Sequence, residues 1–194
     1  MAQRFNEEII MQLYLNATSP FARFARIFAL EKGLNLELIW CDPWQDDPAL
    51  LAINPLGRVP ALKTHDTCLA ESTLIALYLD QQKEPYLLPQ EQYAAQLRQL
   101  GLGIGLMEAA FNRVISRKHA IQSPLELRRD KAIIRTLTSL EAETFSLPNV
   151  GSLSVAVALE YLAFRLPEYK LCASLQALQK EAHQRASFIA TAFR

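Results

Sequence analysis

The chain has 194 residues, 51% hydrophobic and 21% charged, which is the composition of an ordinary globular protein with apolar material for one large domain or two small ones. Lys plus Arg equals Asp plus Glu at 20 each, so the formal net charge is zero, and composition gives no support for a nucleic-acid partner or for attachment to an acidic membrane surface. The apolar run Val155–Leu159 is cut by Glu160, and residues 1–8 mix Arg4 with Glu7 and Glu8 and lack a leader's apolar core, so the expected location is cytoplasmic, with no membrane.

Ile9 to Leu15 reads as a buried strand. After it, Phe21, Phe24, Ala25 and Phe28 recur at helical spacing, with Arg23 and Arg26 on the more polar side and Gly33 as the C′ residue. Pro20 suits the first helical position, because its missing N–H would have had no partner there. Ser19 then stands at the N-cap, where unpaired N–H groups and the positive end of the dipole favour an anion. Taken alone, Ser19 reads as a capping residue.

Glu37–Cys41 is predicted as a second strand, Asp42–Pro48 as loop and Pro48–Ile53 as a short helix ended by Asn54-Pro55 and Gly57. Val59–Thr64 and Thr67–Ala70 read as a β-hairpin, with Pro60 opening its first strand, a position that tolerates proline. A helix follows from Glu71-Ser72, with Leu74, Ile75, Tyr78 and Leu79 on one face. The order β-α-β-α-β-β-α predicts a mixed sheet with helices on its faces.

Lys83–Pro89 is a connector, and no further strand is predicted beyond it. A long helix should run from Glu91 to about His119, with Gly101, Gly103 and Gly105 in its middle. Each glycine lowers helix propensity by about 1 kcal/mol, for close packing or for a kink. Ser123-Pro124-Leu125-Glu126 reads as a capping box whose helix runs to about Phe145. The next helix starts at Ser152 or Ser154 and ends at Pro167, and a last one covers Leu171–Phe193. The expected units are 1–83 (1–10 an extension), a linker at 84–90 and an all-helical 91–194.

Cys41, Cys68 and Cys172 form no CxxC pair, so reduced, mostly buried thiols are expected. His65, His119 and His183 are equally dispersed, and no metal site is expected.

The stretches Thr18-Ser19-Pro20-Phe21-Ala22-Arg23, Ala29–Leu34, Asn54–Leu62 and Glu71-Ser72, in this order and spacing, resemble the glutathione S-transferase superfamily, nearest to bacterial serine-type members. The resemblance covers roughly residues 11 to 89. It implies an α/β thioredoxin-like N-terminal domain that binds glutathione, an all-α C-terminal bundle, and a cleft between them for a small hydrophobic electrophile. Ser19 matches the position of the catalytic serine or cysteine, and a serine there implies stabilising glutathione's thiolate rather than forming a mixed disulfide with it. Phe21 belongs to the same glutathione-binding motif. Pro60 matches the cis-proline that turns the Val59 backbone toward glutathione. Glu71 and Ser72 match the γ-glutamyl site, although helix capping explains them equally well from sequence. Arg58 could reach the glycyl carboxylate. Met107, Phe111, Asn112 and Arg113 fall where the family's cleft wall lies, with core roles the stronger reading for Met107 and Phe111. Arg117-Lys118-His119 reads as a solvated helix end.

The sequence departs from the family pattern at Ser152, where the residue three positions on is Val155 instead of aspartate. Tyr14, just before the turn, faces one side of the sheet or the other. The resemblance implies a homodimer and a transferase with a detoxification role. The alternatives are a non-catalytic binding or regulatory protein of the same fold, and a glutathione-dependent reductase or peroxidase.

Overall fold

The computed structural model describes residues 11–121 and 123–193. The expected extension at 1–10, with Ile9 and Ile10, lies outside them. The first half runs β1 (Met11–Leu15), α1 (Pro20–Glu31), β2 (Leu36–Trp40), α2 (Pro48–Ile53), β3 (Ala61–Lys63), β4 (Cys68–Ala70) and α3 (Ser72–Asp80). The sheet order is β2-β1-β3-β4. β1 and β2 pair in parallel, Leu13 opposite Leu38, as a strand pair joined by a crossover helix must. β3 runs antiparallel to both neighbours, with Leu62 opposite Leu13 and Leu69.

The second half is helical: α4 (Tyr93–Lys118), α5 (Pro124–Leu140), α6 (Val150–Arg165), α7 (Ala173–His183) and α8 (Ala186–Ala190). This is the mixed-sheet half and helical half that the resemblance implies. Among the described residues no helix is long and apolar enough to cross a membrane.

α6 is the axis of that half. Val150 to Leu162 are all buried, so the helix shows almost no amphipathic stripe and α4 packs directly on it. Two glycines allow the approach. A Cβ at Gly103 of α4 would come within 2.7 Å of the Val155 nitrogen, and one at Gly151 of α6 within 2.8 Å of the Gln96 carbonyl oxygen. Gly101 and Gly105 face open space, so close packing is the reason for only the central glycine of the three.

Several expectations are corrected. Arg23 lies on a face of α1 that docks on the helical half; it is 5% exposed and ion-paired with Glu160 of α6. Its Nε donates to Thr191 Oγ1 at 3.3 Å. Leu74 is exposed, and Ala76 takes the buried place beside Ile75 and Leu79. α5 stops at Leu140. α6 begins at Val150 with Asn149 as N-cap, so Ser152 is the third helical residue, where its hydroxyl accepts the Ser146 N–H at 2.9 Å. The last predicted helix is two, because Arg185 leaves helical geometry with φ −83° and ψ 135°. Its guanidinium and the Ser187 hydroxyl instead bind Glu31 at the end of α1. Burial works to raise the Glu31 pKa, but these partners hold its carboxyl below the usual range. The cysteines are not buried: Cys68 is exposed, Cys41 and Cys172 partly so.

Candidate active site

The topology delivers distant segments to one edge of the sheet. β1 ends at Leu15, and β3, antiparallel to it, starts at Ala61, opposite Tyr14. β4 ends at Ala70, opposite Ala61. The Ser19 turn, the Val59-Pro60 bond and Glu71-Ser72 therefore all emerge at the carboxyl end of β1, the edge where open α/β sheets bind ligands.

Ser19 is the N-cap of α1, 9% exposed, and its Oγ accepts the Ala22 N–H at 3.2 Å. One lone pair is thereby fixed, and no acceptor takes the hydroxyl proton among the described residues. The Ser19 N–H in turn donates to Asn16 Oδ1 at 2.8 Å, which pins the turn from below.

The Val59–Pro60 peptide is cis. Val59 is buried, yet neither its N–H nor its carbonyl bonds to another described residue. The loop before it is held by Asn54, which the sequence placed at a helix stop and at the start of the matching stretch 54–62 without a role of its own. Asn54 is 2% exposed; its Nδ2 donates to the Arg58 carbonyl at 2.8 Å and its Oδ1 accepts the Leu56 N–H at 3.2 Å. The Arg58 side chain itself is exposed.

Glu71 takes φ 68°, a left-handed value unusual for a residue with a long side chain. Such a conformation is disfavoured by about 1–3 kcal/mol and persists where the surroundings enforce it, often at ligand sites. Glu71 is exposed and makes no capping bond, so the capping explanation fails for it. Ser72, the first residue of α3, is 3% exposed, and no described residue hydrogen-bonds its hydroxyl.

On the helical side, Phe111 of α4 meets Phe21 of α1 edge to face, centroids 6.1 Å apart. Of the other cleft positions, Asn112 is half-buried, Met107 takes the core role that was the stronger reading for it, and Arg113 is corrected. Met107 is fully buried in the core, since its position on α4 turns it inward. Arg113 is committed to the α4–α5 junction: NH1 lies 3.1 Å from Glu126 Oε2, and Nε donates to the Tyr169 hydroxyl at 3.1 Å. Burial works to lower the Arg113 pKa, and the Tyr169, Asp130 and Glu126 partners raise it overall. Tyr14 is 8% exposed and belongs to a small cluster with Leu50, Val59 and Ala61, on the α2 side of the sheet. Among the described residues no three His, Cys, Asp or Glu side chains gather as a metal site.

The family model for the glutathione S-transferase N-terminal domain matches residues 13–87. The uncharacterized GST-like protein YibF of Escherichia coli K12 is 34% identical over 168 residues, covering 80% of this chain and 83% of the relative. Among solved structures, a glutathione transferase family member from Pseudomonas fluorescens Pf-5 with bound glutathione superposes with a TM-score of 0.81 at 31% identity, covering 93% of this chain and 98% of that one. A glutathione S-transferase from Methylobacillus flagellatus KT with GSH bound gives 0.84 at 26% identity, covering 94% and 98%.

Proposed function

Because the chain belongs to the glutathione S-transferase superfamily, we propose that it is a glutathione transferase that binds glutathione at the Ser19–Ser72 edge and presents its thiolate to a small hydrophobic electrophile. In this reading residues 1–83 form the glutathione-binding unit, 84–90 the linker and 91–194 the helical unit. The observation that carries it is the Ser19 hydroxyl, whose lone pair is held by Ala22 N–H while its proton is left to donate to sulfur. A thiolate there also feels the N–H groups of α1, which favour the anion.

Glutathione's peptide groups would pair with the unbonded Val59 backbone next to Pro60. Its γ-glutamyl carboxylate would take the Ser72 hydroxyl and N–H, with Glu71 on the ammonium and Arg58 at the glycyl carboxylate. Phe21 closes the inner end of the cleft with Phe111. The cleft needs no metal. A serine at position 19 favours conjugation over the reductase or peroxidase alternative, which calls for a thiol that forms mixed disulfides.

Calorimetric titration with glutathione and its S-methyl analogue tests the site. Both are expected to bind in the micromolar to millimolar range, and Ser72→Ala should weaken both about tenfold, since it removes one hydrogen bond to a charged group. Binding of neither compound to the wild type would leave the non-catalytic binding or regulatory reading in its place.

A cytoplasmic homodimer acting in detoxification goes with the transferase reading. Leu74 of α3 and Tyr93 and Leu97 of α4 are exposed apolar side chains suited to a contact in which the α4 of one protomer packs on its partner's first half. Sedimentation at micromolar concentration should give the dimer mass, and a monomer there would defeat that part.

A further inference from the structure

Among the described residues two ring contacts tie α4 to the first half. The inner one is Phe21 against Phe111. The outer one is Lys118 Nζ over the ring of Trp44, 6.0 Å from its centroid, with Trp44 reaching out from the loop after β2. Phe111 and Lys118 are seven residues apart, so they share a face of α4 and stand about 10 Å apart along its axis. Val114 and Ile115 fall between them on that face, both partly exposed. One face of α4 thus presents Phe111, Val114 and Ile115 over about 10 Å, from Phe21 next to the Ser19 turn to Lys118 against Trp44, and we read the space in front of it as a slot.

Among the described residues, the cation free to meet an anion at that end is Lys118. Its neighbour Arg117 is paired with Glu168. Lys118 is exposed and has no ion-pair partner among the described residues. The Trp44 loop also carries three negatively charged aspartates; Asp42 Oδ1 accepts the Trp44 N–H at 3.0 Å and Asp47 Oδ1 accepts the Ala49 N–H at 2.9 Å, and neither is ion-paired with Lys118. Asp46 lies beyond ion-pair distance of Lys118. His119, next along, is exposed.

We propose that this slot selects electrophiles with a flat apolar body and a carboxylate remote from the reacting carbon, the ring lying along Phe111 and Trp44 and the carboxylate meeting Lys118. Lys118 and Trp44 are then the specificity determinants of the site. The inference rests on the glutathione reading above. In the reaction used to test it, the glutathione sulfur forms a bond to an aryl carbon, chloride leaves with the C–Cl electron pair, and the thiol proton passes to solvent.

The test compares 4-chloro-3,5-dinitrobenzoate with its primary amide, which keeps the ring, the nitro groups and nearly the size while removing the charge. With kcat/KM divided by the uncatalysed rate, the wild type should prefer the carboxylate about fivefold, the scale of a partly exposed ion pair. That preference should shrink at high salt, fall toward one in Lys118→Gln and persist in Lys118→Arg. Equal use of the two compounds, or a preference untouched in Lys118→Gln, would overturn the proposal. The preformed glutathione conjugates of both compounds give the same comparison without turnover, read by quenching of tryptophan fluorescence. There, equal affinities would overturn the selection while leaving the glutathione site standing. Failure of both conjugates and of glutathione itself to bind would remove the glutathione reading and this inference together.

Discussion

Asp80→Ala is expected to lower the free energy of unfolding by about 3–5 kcal/mol, the usual cost of removing one member of a buried ion pair. Asp80 is 1% exposed at the end of α3, and its carboxylate makes three contacts there. Oδ1 accepts the Leu87 N–H at 2.7 Å, Oδ2 accepts the Leu88 N–H at 3.1 Å, and Oδ1 stands 3.1 Å from Lys32 Nζ. The ammonium in turn donates to the Pro85 carbonyl at 2.7 Å and to that of Lys83. Two helix ends and the connector are tied at one buried point, so alanine would leave in the interior a cation without its counter-ion and two N–H groups without an acceptor. For a chain of this size the loss corresponds to a fall in Tm of roughly 8–15 °C. The double variant Lys32→Met, Asp80→Ala removes the stranded ammonium, so it should be no less stable than Asp80→Ala alone. Urea unfolding decides it. A loss under about 1 kcal/mol in the single variant, or additive losses in the double, would show that the junction does not depend on this pair.

The same junction shows where sequence reading stops. Lys32 sits beside Gly33 at a helix end, and Asp80 closes a helix three residues before the connector. Each looks like a solvated terminal charge until the fold brings them together. Arg23 is the sharper case. Helical spacing places it among polar positions, and only the arrival of Glu160, 137 residues later in the chain, makes that position interior. Glu160 in turn reads in the sequence as a break in an apolar run, whereas in the fold it is the buried partner within that run. The break at Arg185 was hidden for a related reason: the apolar spacing of Leu175, Leu178 and Ala182 is local, while the ion pair to Glu31 that accompanies the break is tertiary. By contrast, the first eighty described residues were legible because their elements are short and punctuated by Pro20, Gly33, Pro48 and the Asn54–Gly57 turn, each acting through its own backbone. The candidate site divides along the same line. Ser19, Pro60, Glu71 and Ser72 stand at element boundaries that the sequence announces. Arg113 at the α4–α5 junction and Trp44 against Lys118 depend on how distant segments dock.

Ser19→Ala should raise the pKa of bound glutathione's thiol and slow conjugation by a factor that depends on pH, with little loss of glutathione affinity. A free thiol near 8.5 is only about 3% ionised at pH 7, whereas one lowered to about 6.5 is about 75% ionised. If the hydroxyl supplies most of that shift, the variant loses about 25-fold in rate at pH 7 and approaches 100-fold near pH 5, because the thiolate fraction is then limited by the free thiol's pKa. Above about pH 9 both forms are mostly thiolate and the difference should nearly vanish, to about 1.3-fold or less. The sign follows from donation to sulfur: a donor stabilises the anion, so removing it moves the rate–pH profile to higher pH. Removing a pure capping residue instead destabilises α1 by about 1 kcal/mol and weakens binding and rate together at every pH. Ser19→Thr keeps both the cap and a hydroxyl, so it should restore part of the low-pH rate, whereas Ser19→Gly loses only a few tenths of a kcal/mol of capping and should still lose the ionisation. A profile displaced upward in both Ala and Gly variants assigns the hydroxyl to the sulfur. Profiles that keep their midpoint while the rate falls evenly would return Ser19 to the role of a cap and move the source of thiolate stabilisation to the N–H groups of α1.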